Sequence, residues 1–171
     1  NALESYGPVH RWGEWTHAEL YQLAKTAGVV AAAKGWTCST LPQGGGYGRL
    51  LVDCPELEKE LIQKGLAHIF SIKGPGEDAL VALQIQAQKQ GLGIWAKGVP
   101  SGLVTSLHSA DERSDRNQAY DRVVNTQTGE APTVRHTKNY EVCQEVCHQQ
   151  SCMIYVPYRM RYGAKRANCL R

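Results

Sequence analysis

Four stretches that follow one another along the chain decide the fold. They are Tyr47-Gly48-Arg49-Leu50-Leu51-Val52, the run LEKELIQKGLA at 57–67, the run ALVALQIQAQKQ at 79–90 and the run GLGIW at 91–95. The first is typical of a strand, which we expect to cover 48–54, and the next two place apolar residues at helical spacing. Gly65 and Gly91 lie at the expected ends of these two helices, where a left-handed residue commonly ends a helix. The order predicts a strand, a helix from Pro55 to Gly65, and a helix over 77–90.

The sequence before these stretches predicts another helix. Thr16 and Glu19 have the spacing of a capping box, and an apolar face that includes Leu20 follows them. We expect this helix to end at Gly28, because glycine accommodates the left-handed conformation at a helix end. The valine- and alanine-rich segment that follows predicts a strand over 29–37.

A hairpin is expected around the glycines at 43–46. Cys38 and Cys54 are symmetric about position 46, so in an antiparallel hairpin they become near-opposite neighbours. A cross-strand disulfide is therefore geometrically feasible, with two unpaired thiols on one sheet face as the alternative. A further short strand is expected over 66–70.

In this order and spacing, the four stretches resemble those of the staphylococcal nuclease-like (thermonuclease) family, over roughly residues 14–98. That family pairs an OB-fold barrel with three helices, so the resemblance implies an α+β fold of this kind. It also implies that Arg49 corresponds to a phosphate-binding arginine and Tyr47 to a tyrosine that touches a nucleotide phosphate. Two further tyrosines of the family fall near Ser71 and Lys73 here, which weakens the implied nucleotide pocket.

The carboxylates that this family uses in catalysis are missing from their usual place. The residues before the first helix are too few for the family's first three strands, and no DGDT run occurs. The run RLLVDCPE at 49–56 offers an alternative, since it also looks like the family's RLxGIDAPE stretch. Asp53 would then be a metal ligand and Glu56 a catalytic residue beside Arg49. We favour the strand assignment, in which both carboxylates mark a helix start. No cofactor is expected. Bound Ca²⁺ is expected only if the chain is an active nuclease.

The last third of the chain contains four more cysteines, Cys143, Cys147, Cys152 and Cys169. The first two are spaced to share one face of a helix, and a strand is expected over 153–156. The even total of six cysteines favours disulfides and an oxidising compartment, but the sequence does not choose among three pairings of these four. A zinc site that uses the cysteines with His148 or His136 is the alternative, although the spacing matches no common zinc pattern.

Aromatic and basic side chains alternate near the C-terminus. Such a pattern can stack bases and hold phosphates. One alternative is a surface that binds another protein, because tyrosine and arginine are also common at protein interfaces. The other is a solvated tail without a partner. We expect the six histidines to be structural, since they are scattered without a metal-binding pattern. The alternating residues are Tyr155, Tyr158, Arg159, Arg161, Tyr162, Lys165 and Arg166.

Composition sets the domain layout and the compartment. The chain has 171 residues, 42% of them hydrophobic, and a net charge of +3, typical of a globular protein. No apolar run reaches the ~20 residues that span a bilayer. We predict a nuclease-like domain at 1–107, a polar connector at 108–139 with a short helix over 109–124, and a cysteine-rich basic extension at 140–171. The chain starts at Asn1 without a signal peptide, so we expect a processed or excised exported protein, periplasmic, cell-surface or secreted.

The predicted fold is therefore an α+β, staphylococcal-nuclease-like barrel, incomplete at its N-terminus, with three helices and a disulfide-rich extension. An incomplete barrel exposes strand edges, which the C-terminal strands, an upstream segment or a neighbouring subunit could cover. Our first hypothesis is a catalytically degenerate domain with a structural or interaction role in an exported assembly, whose partner is a protein or a second copy. The alternatives are a calcium-dependent nuclease that lacks its upstream strands here and a nucleic-acid-binding module that does not cleave.

Overall fold

The computed structural model describes residues 9–41, 50–112 and 119–170. Within these ranges the chain forms three helices and eight strands. In chain order they are β1 His10–Trp12, α1 His17–Ala32, β2 Ser39–Thr40, β3 Val52–Asp53, α2 Pro55–Gln63, α3 Asp78–Lys89, β4 Gly102–Ser106, β5 Ala119–Asn125, β6 Thr133–His136, β7 Glu145–His148 and β8 Ser151–Ile154.

The strands make three antiparallel sheets, with the orders β1-β8-β7, β2-β3 and β4-β5-β6. Three helices and three separate sheets agree with the predicted α+β class. The described strands do not close into one barrel. No helix in the described ranges is both long and apolar enough to cross a membrane.

Helix α1 begins as its sequence predicts and ends later. The Thr16 backbone N–H donates to the Glu19 carboxylate at 3.0 Å, and the Glu19 N–H donates to the Thr16 hydroxyl at 3.3 Å, which completes the capping box. The helix continues through Gly28 to Ala32, so the expected end at Gly28 and the strand over 29–37 are wrong. A single glycine costs a helix only about 1 kcal/mol, and the alanines that follow favour its continuation.

The hairpin of β2 and β3 has the predicted register. Ser39 lies opposite Asp53, which places Cys38 opposite Cys54, and the two sulfurs are bonded with a Cα–Cα distance of 4.3 Å. The described part of the second strand, Val52–Asp53, is shorter than the predicted 48–54. The predicted glycine turn at 43–46 lies outside the described residues.

The glycines of the GLA and GLGIW runs bring two backbones together. Gly65, after α2, has φ +62°, and a Cβ there would lie 2.1 Å from the Leu92 carbonyl oxygen. The Ile94 N–H donates to the Gly65 carbonyl at 2.8 Å. This close approach explains why both runs need glycine in addition to the helix-ending role. The expected strand over 66–70 is wrong, because this segment is irregular.

Two hydrophobic cores lie on opposite sides of the β4–β5 pair. Leu103 and Val124 are paired and belong to the core beneath the helices, together with Trp95. Their neighbours Val104 and Val123 are also paired and belong to the second core. Because side chains alternate along a strand, this one sheet joins the helical half to the C-terminal half.

The segment 108–139, expected to be a polar connector, contains β5 and β6. The expected helix over 109–124 is wrong in its described part, where Ala110–Glu112 is a single 3₁₀ turn and Ala119–Asn125 is a strand. Strand β5 alternates buried and half-buried residues from Ala119 to Arg122, and then buries both Val123 and Val124. The domain boundaries themselves stay a prediction.

All four C-terminal cysteines are in disulfides, Cys143 with Cys169 and Cys147 with Cys152. The zinc alternative is therefore wrong for these thiols. The expected helix through Cys143 and Cys147 is also wrong, because Cys143 has φ +69° and β7 follows it. The strand expected over 153–156 overlaps β8. Since β8 pairs with β1, a C-terminal strand covers the edge of the N-terminal strand.

Candidate functional site

Of the residues that the family resemblance points to, Asp53 and Glu56 lie in the described ranges. Tyr47 and Arg49 lie outside the described residues. Asp53 is exposed on β3, and Glu56, in the first turn of α2, has its carboxylate 3.2 Å from the Lys59 ammonium. Asp53 immediately precedes the N-cap residue Cys54 and Glu56 lies in the first turn of α2, which agrees with the interpretation that both carboxylates mark a helix start.

A calcium ion needs more oxygen ligands than Asp53 and Glu56 supply. Over 9–41, 50–112 and 119–170, one group of three His, Cys, Asp or Glu side chains is close enough to share an ion, and it consists of Glu145, Cys147 and Cys152. Its sulfurs are joined in a disulfide, so they are not thiolate ligands. Among the described residues, this group therefore offers a metal ion one carboxylate and no thiolate.

The C-terminal segment presents cations beside two exposed tyrosines. Arg159, Met160, Lys165 and Arg166 line an open cavity of about 510 Å³, the basic groove. Tyr158 is 60% exposed and Tyr162 is 73% exposed. Their ring centroids lie 6.3 Å apart in an edge-on arrangement.

The basic groove is held in place by the backbone and by a disulfide. The Ala167 N–H donates to the Met160 carbonyl at 2.9 Å, which closes the loop that carries Lys165 and Arg166. Cys169, just beyond this loop, is bonded to Cys143. These constraints hold the backbone that carries the cations, and they do not use the cationic side chains.

Tyr155 and Arg161, which were predicted to belong to this surface, make contacts within the protein instead. Tyr155 is only 2% exposed and packs against Tyr140 in the second core, and burial raises its pKa well above the ordinary tyrosine value. It cannot stack a base on the surface, and that prediction is wrong. Arg161 donates from Nε to the Val156 carbonyl at 2.9 Å, which anchors the segment.

A second constellation surrounds a carboxylate on β5. Asp121 is fully buried and accepts hydrogen bonds from three side chains. The Tyr140 hydroxyl lies 2.6 Å from Oδ2, His148 Nε2 lies 2.8 Å from Oδ2, and His136 Nε2 lies 3.1 Å from Oδ1. We call these four residues the Asp121 cluster. A buried charge is stable only when it is paired and hydrogen-bonded, and these donors provide that.

The hydrogen bonds fix the proton positions in the Asp121 cluster. His136 Nδ1 accepts from the Lys138 backbone N–H at 3.1 Å, so Nε2 carries the proton and donates it to Asp121. Both nitrogens of His136 are therefore occupied. Burial, and then the hydrogen bond to Asp121, raise the pKa of Tyr140 well above its ordinary value, so Tyr140 is a neutral donor.

His148 differs from His136 because its side chain remains 25% exposed. It ends β7 at a two-residue turn in which Gln149 and Gln150 have φ +46° and +71°. Non-glycine residues rarely adopt this conformation. The turn is fixed on the start of β4 by hydrogen bonds from the Ser101 and Gly102 N–H groups to Gln150 and Gln149, and by the adjacent Cys147–Cys152 disulfide.

Sequence reasoning missed the Asp121 cluster. His136 and His148 follow Asp121 by 15 and 27 positions, and only strand pairing brings them together. One signal was present in the sequence: Asp121 lies between Ala119 and Val123 in an alternating pattern that points all three residues inward. If this pattern is recognised as a strand, it predicts that the Asp121 carboxylate is buried and needs hydrogen-bond donors.

Comparison with known proteins agrees with the fold of the helical half. A family model described as staphylococcal nuclease homologue matches residues 1–97, which is more than half of the chain. No curated protein and no solved structure matches. The matched range contains α1 to α3, the β2–β3 hairpin and the GLGIW run. The chain belongs to the staphylococcal nuclease homologue family.

Proposed function

We propose that this chain binds nucleic acid through the basic groove and its two neighbouring tyrosines, without the calcium-dependent cleavage typical of nucleases of this kind. Membership of the family indicates a nuclease or nucleic-acid-related function. The observation that carries the proposal is the exposed pair Tyr158 and Tyr162 beside the cations of the groove. Aromatic faces stack bases and cations hold the backbone, which together bind single strands with little sequence preference.

The charge distribution supports this surface as the binding site. The segment 152–171 has five basic residues and no acidic one, whereas residues 1–107 carry nine basic and nine acidic residues. Because phosphate contacts dominate nucleic-acid affinity, we expect the C-terminal segment to provide most of the binding energy. Degeneracy of the calcium site is supported by Asp53 and Glu56, which belong to no group of three His, Cys, Asp or Glu side chains in the described ranges.

Fluorescence anisotropy with a short labelled single strand tests the proposal. The triple variant Arg159→Ala/Lys165→Ala/Arg166→Ala should bind at least about tenfold more weakly, because three phosphate contacts are lost. A control of equal charge change, Lys25→Ala/Lys59→Ala/Lys89→Ala, should stay within about twofold of the unmodified chain. Equal losses in both variants would show that the chain binds only through its net charge.

Stacking by Tyr162 is tested separately. Tyr162→Ala should weaken binding about tenfold, whereas Tyr162→Phe should retain it, because the phenyl ring keeps the stacking face. A loss of the same size in both variants would contradict stacking and would indicate that the hydroxyl is needed instead.

A protein-interaction role is the second candidate. It rests on the β3 side of the hairpin, where Leu50, Leu51 and Val52 are exposed, Leu50 by 77%. Exposed apolar side chains of this kind occur at protein interfaces. Analytical ultracentrifugation of Leu50→Ser beside the unmodified chain tests it, since loss of self-association in the variant supports the role and a monomer in both contradicts a homo-oligomer.

Two further proposals concern calcium and location. A calcium-dependent nuclease remains the alternative activity, and cleavage of single-stranded DNA that a chelator abolishes would establish it. An exported location is supported by three disulfides, which persist in oxidising compartments.

A further inference from the structure

We propose that His148 and Asp121 form a metal-independent acid–base site that cleaves RNA. The inference rests on the proposed function in one respect, since RNA must be bound for the site to act. It differs from the calcium chemistry that the family resemblance implies, because its groups come from the C-terminal half of the chain.

The Asp121 cluster leaves one basic nitrogen. His148 Nε2 lies 2.8 Å from the Asp121 carboxylate and donates its proton there, so the lone pair of the neutral ring is on Nδ1. No described residue occupies that Nδ1 with a hydrogen bond, and the side chain is 25% exposed. A carboxylate behind an imidazole orients the ring and stabilises the imidazolium that forms when the ring accepts a proton.

The turn that carries His148 holds the ring in one place. Two consecutive glutamines adopt positive φ, a conformation that asparagine or glycine favours in such turns. The Cys147–Cys152 disulfide and the contacts to β4 maintain this unfavourable turn. Strained backbone that is fixed by its surroundings is found more often at functional sites, which supports a role for His148 beyond packing.

RNA is the substrate class that fits a base without a metal ion. The 2′-hydroxyl is an internal nucleophile next to the phosphorus atom, and this proximity replaces the activation that a metal gives to water. Nδ1 takes the 2′-hydroxyl proton, O2′ bonds to phosphorus, and the bond from phosphorus to O5′ breaks. The proton returns from Nδ1 through solvent to O5′, so the products are a 2′,3′-cyclic phosphate and a 5′-hydroxyl. DNA lacks the nucleophile and stays intact.

A disulfide and one strand connect the basic groove to His148. The groove is tied to Cys143, just before β7, and His148 is the last residue of β7. Four strand residues span about 13 Å. A bound single strand that extends several nucleotides beyond the groove could therefore reach His148.

The test uses the full, oxidised chain in excess chelator with a DNA oligonucleotide that contains one ribonucleotide. The account predicts cleavage after the ribonucleotide, a cyclic phosphate product and no cleavage of the all-DNA oligonucleotide. His148→Gln should lower the rate at least about 100-fold, because glutamine can still donate to Asp121 but has no basic nitrogen. His17→Gln, a change at another partly exposed histidine, should leave the rate unchanged.

Rescue separates a catalytic role from a structural one. His148→Ala should regain cleavage when imidazole is added, which a purely structural role would not produce. Absence of cleavage by the unmodified chain, or equal rates for His148→Gln and the unmodified chain, would overturn the inference. Binding of RNA is measured in the same samples, so that the two proposals can be distinguished. Binding without cleavage would overturn only the acid–base site. Cleavage that persists in Arg159→Ala/Lys165→Ala/Arg166→Ala would overturn only the role of the basic groove.

Discussion

Gln84 shows how one buried polar side chain joins distant parts of the chain. It lies on α3, is fully buried, accepts from the Ile69 N–H at 2.8 Å and donates to the Thr126 carbonyl at 2.7 Å. These bonds connect the helix to the irregular segment after α2 and to the end of β5. The Ile69 N–H in the irregular segment therefore bonds to the Gln84 side chain, where a strand would bond to a neighbouring strand.

We expect Gln84→Met to lower the free energy of unfolding by about 2 kcal/mol. Methionine fills the space but leaves the buried Ile69 N–H without an acceptor, and an unsatisfied donor costs about 1–3 kcal/mol. Urea unfolding measures the change, with the exposed Gln86→Met on the same helix as the control. Equal stability of Gln84→Met and the unmodified chain would contradict the assigned hydrogen bonds.

His68 makes stability depend on pH. Burial lowers its pKa from 6.5 to about 4, although its Nδ1 lies 2.9 Å from the Ile69 carbonyl and that bond acts in the opposite direction. In the unfolded chain the His68 side chain is protonated below about pH 6.5, whereas in the folded chain it becomes protonated only below about pH 4. Stability should therefore fall as pH falls through this window, by about 3 kcal/mol in total.

His68→Asn tests this dependence, because asparagine keeps a donor near the Nδ1 position and does not titrate. Its free energy of unfolding, measured in urea between pH 7 and pH 4, should change less with pH than that of the unmodified chain. The same slope in both proteins would mean that another group is responsible.

At the scale of elements, local signals were predicted and long-range pairing was not. The capping box of α1 and the register of the β2–β3 hairpin depend on residues that are close in sequence, so their patterns could be recognised. β5 has partners on both sides, and its pattern was interpreted as a connector. The four-residue spacing of Cys143 and Cys147 indicated a helix, but the bond from Cys147 to Cys152 crosses a hairpin instead.

The two hairpin disulfides give a prediction at this scale. Cys38 and Cys54 are separated by 16 positions, and Cys147 and Cys152 by 5. In the chain-entropy model, Cys38→Ser/Cys54→Ser should lose about 3 kcal/mol of stability and Cys147→Ser/Cys152→Ser about 2 kcal/mol. Denaturant unfolding of both double variants measures the order. A larger loss in the 147–152 variant would mean that the strained turn beside His148 depends on its disulfide beyond loop entropy.

For the whole molecule, the sequence identified the helical half and one surface of the C-terminal half. Tyr158, Tyr162 and the cations of the basic groove are close together in sequence, so their alternation predicted a surface. Tyr155 has the same spacing, but it directly follows β8 and its side chain is buried in the second core. The Asp121 cluster could not be predicted from spacing, because it assembles only when β5, β6 and the β7–β8 hairpin pack together.

The central claim is that nucleic acid binds at the basic groove, and the salt dependence of binding tests it most directly. The slope of log affinity against log salt counts the phosphates that the protein neutralises, at about 0.7 per contact for a single strand. The account predicts that Arg159→Ala/Lys165→Ala/Arg166→Ala reduces the magnitude of this slope by about 2 relative to the unmodified chain, for single-stranded DNA and RNA alike. An unchanged slope in that variant would contradict the claim and place the phosphates elsewhere on the molecule.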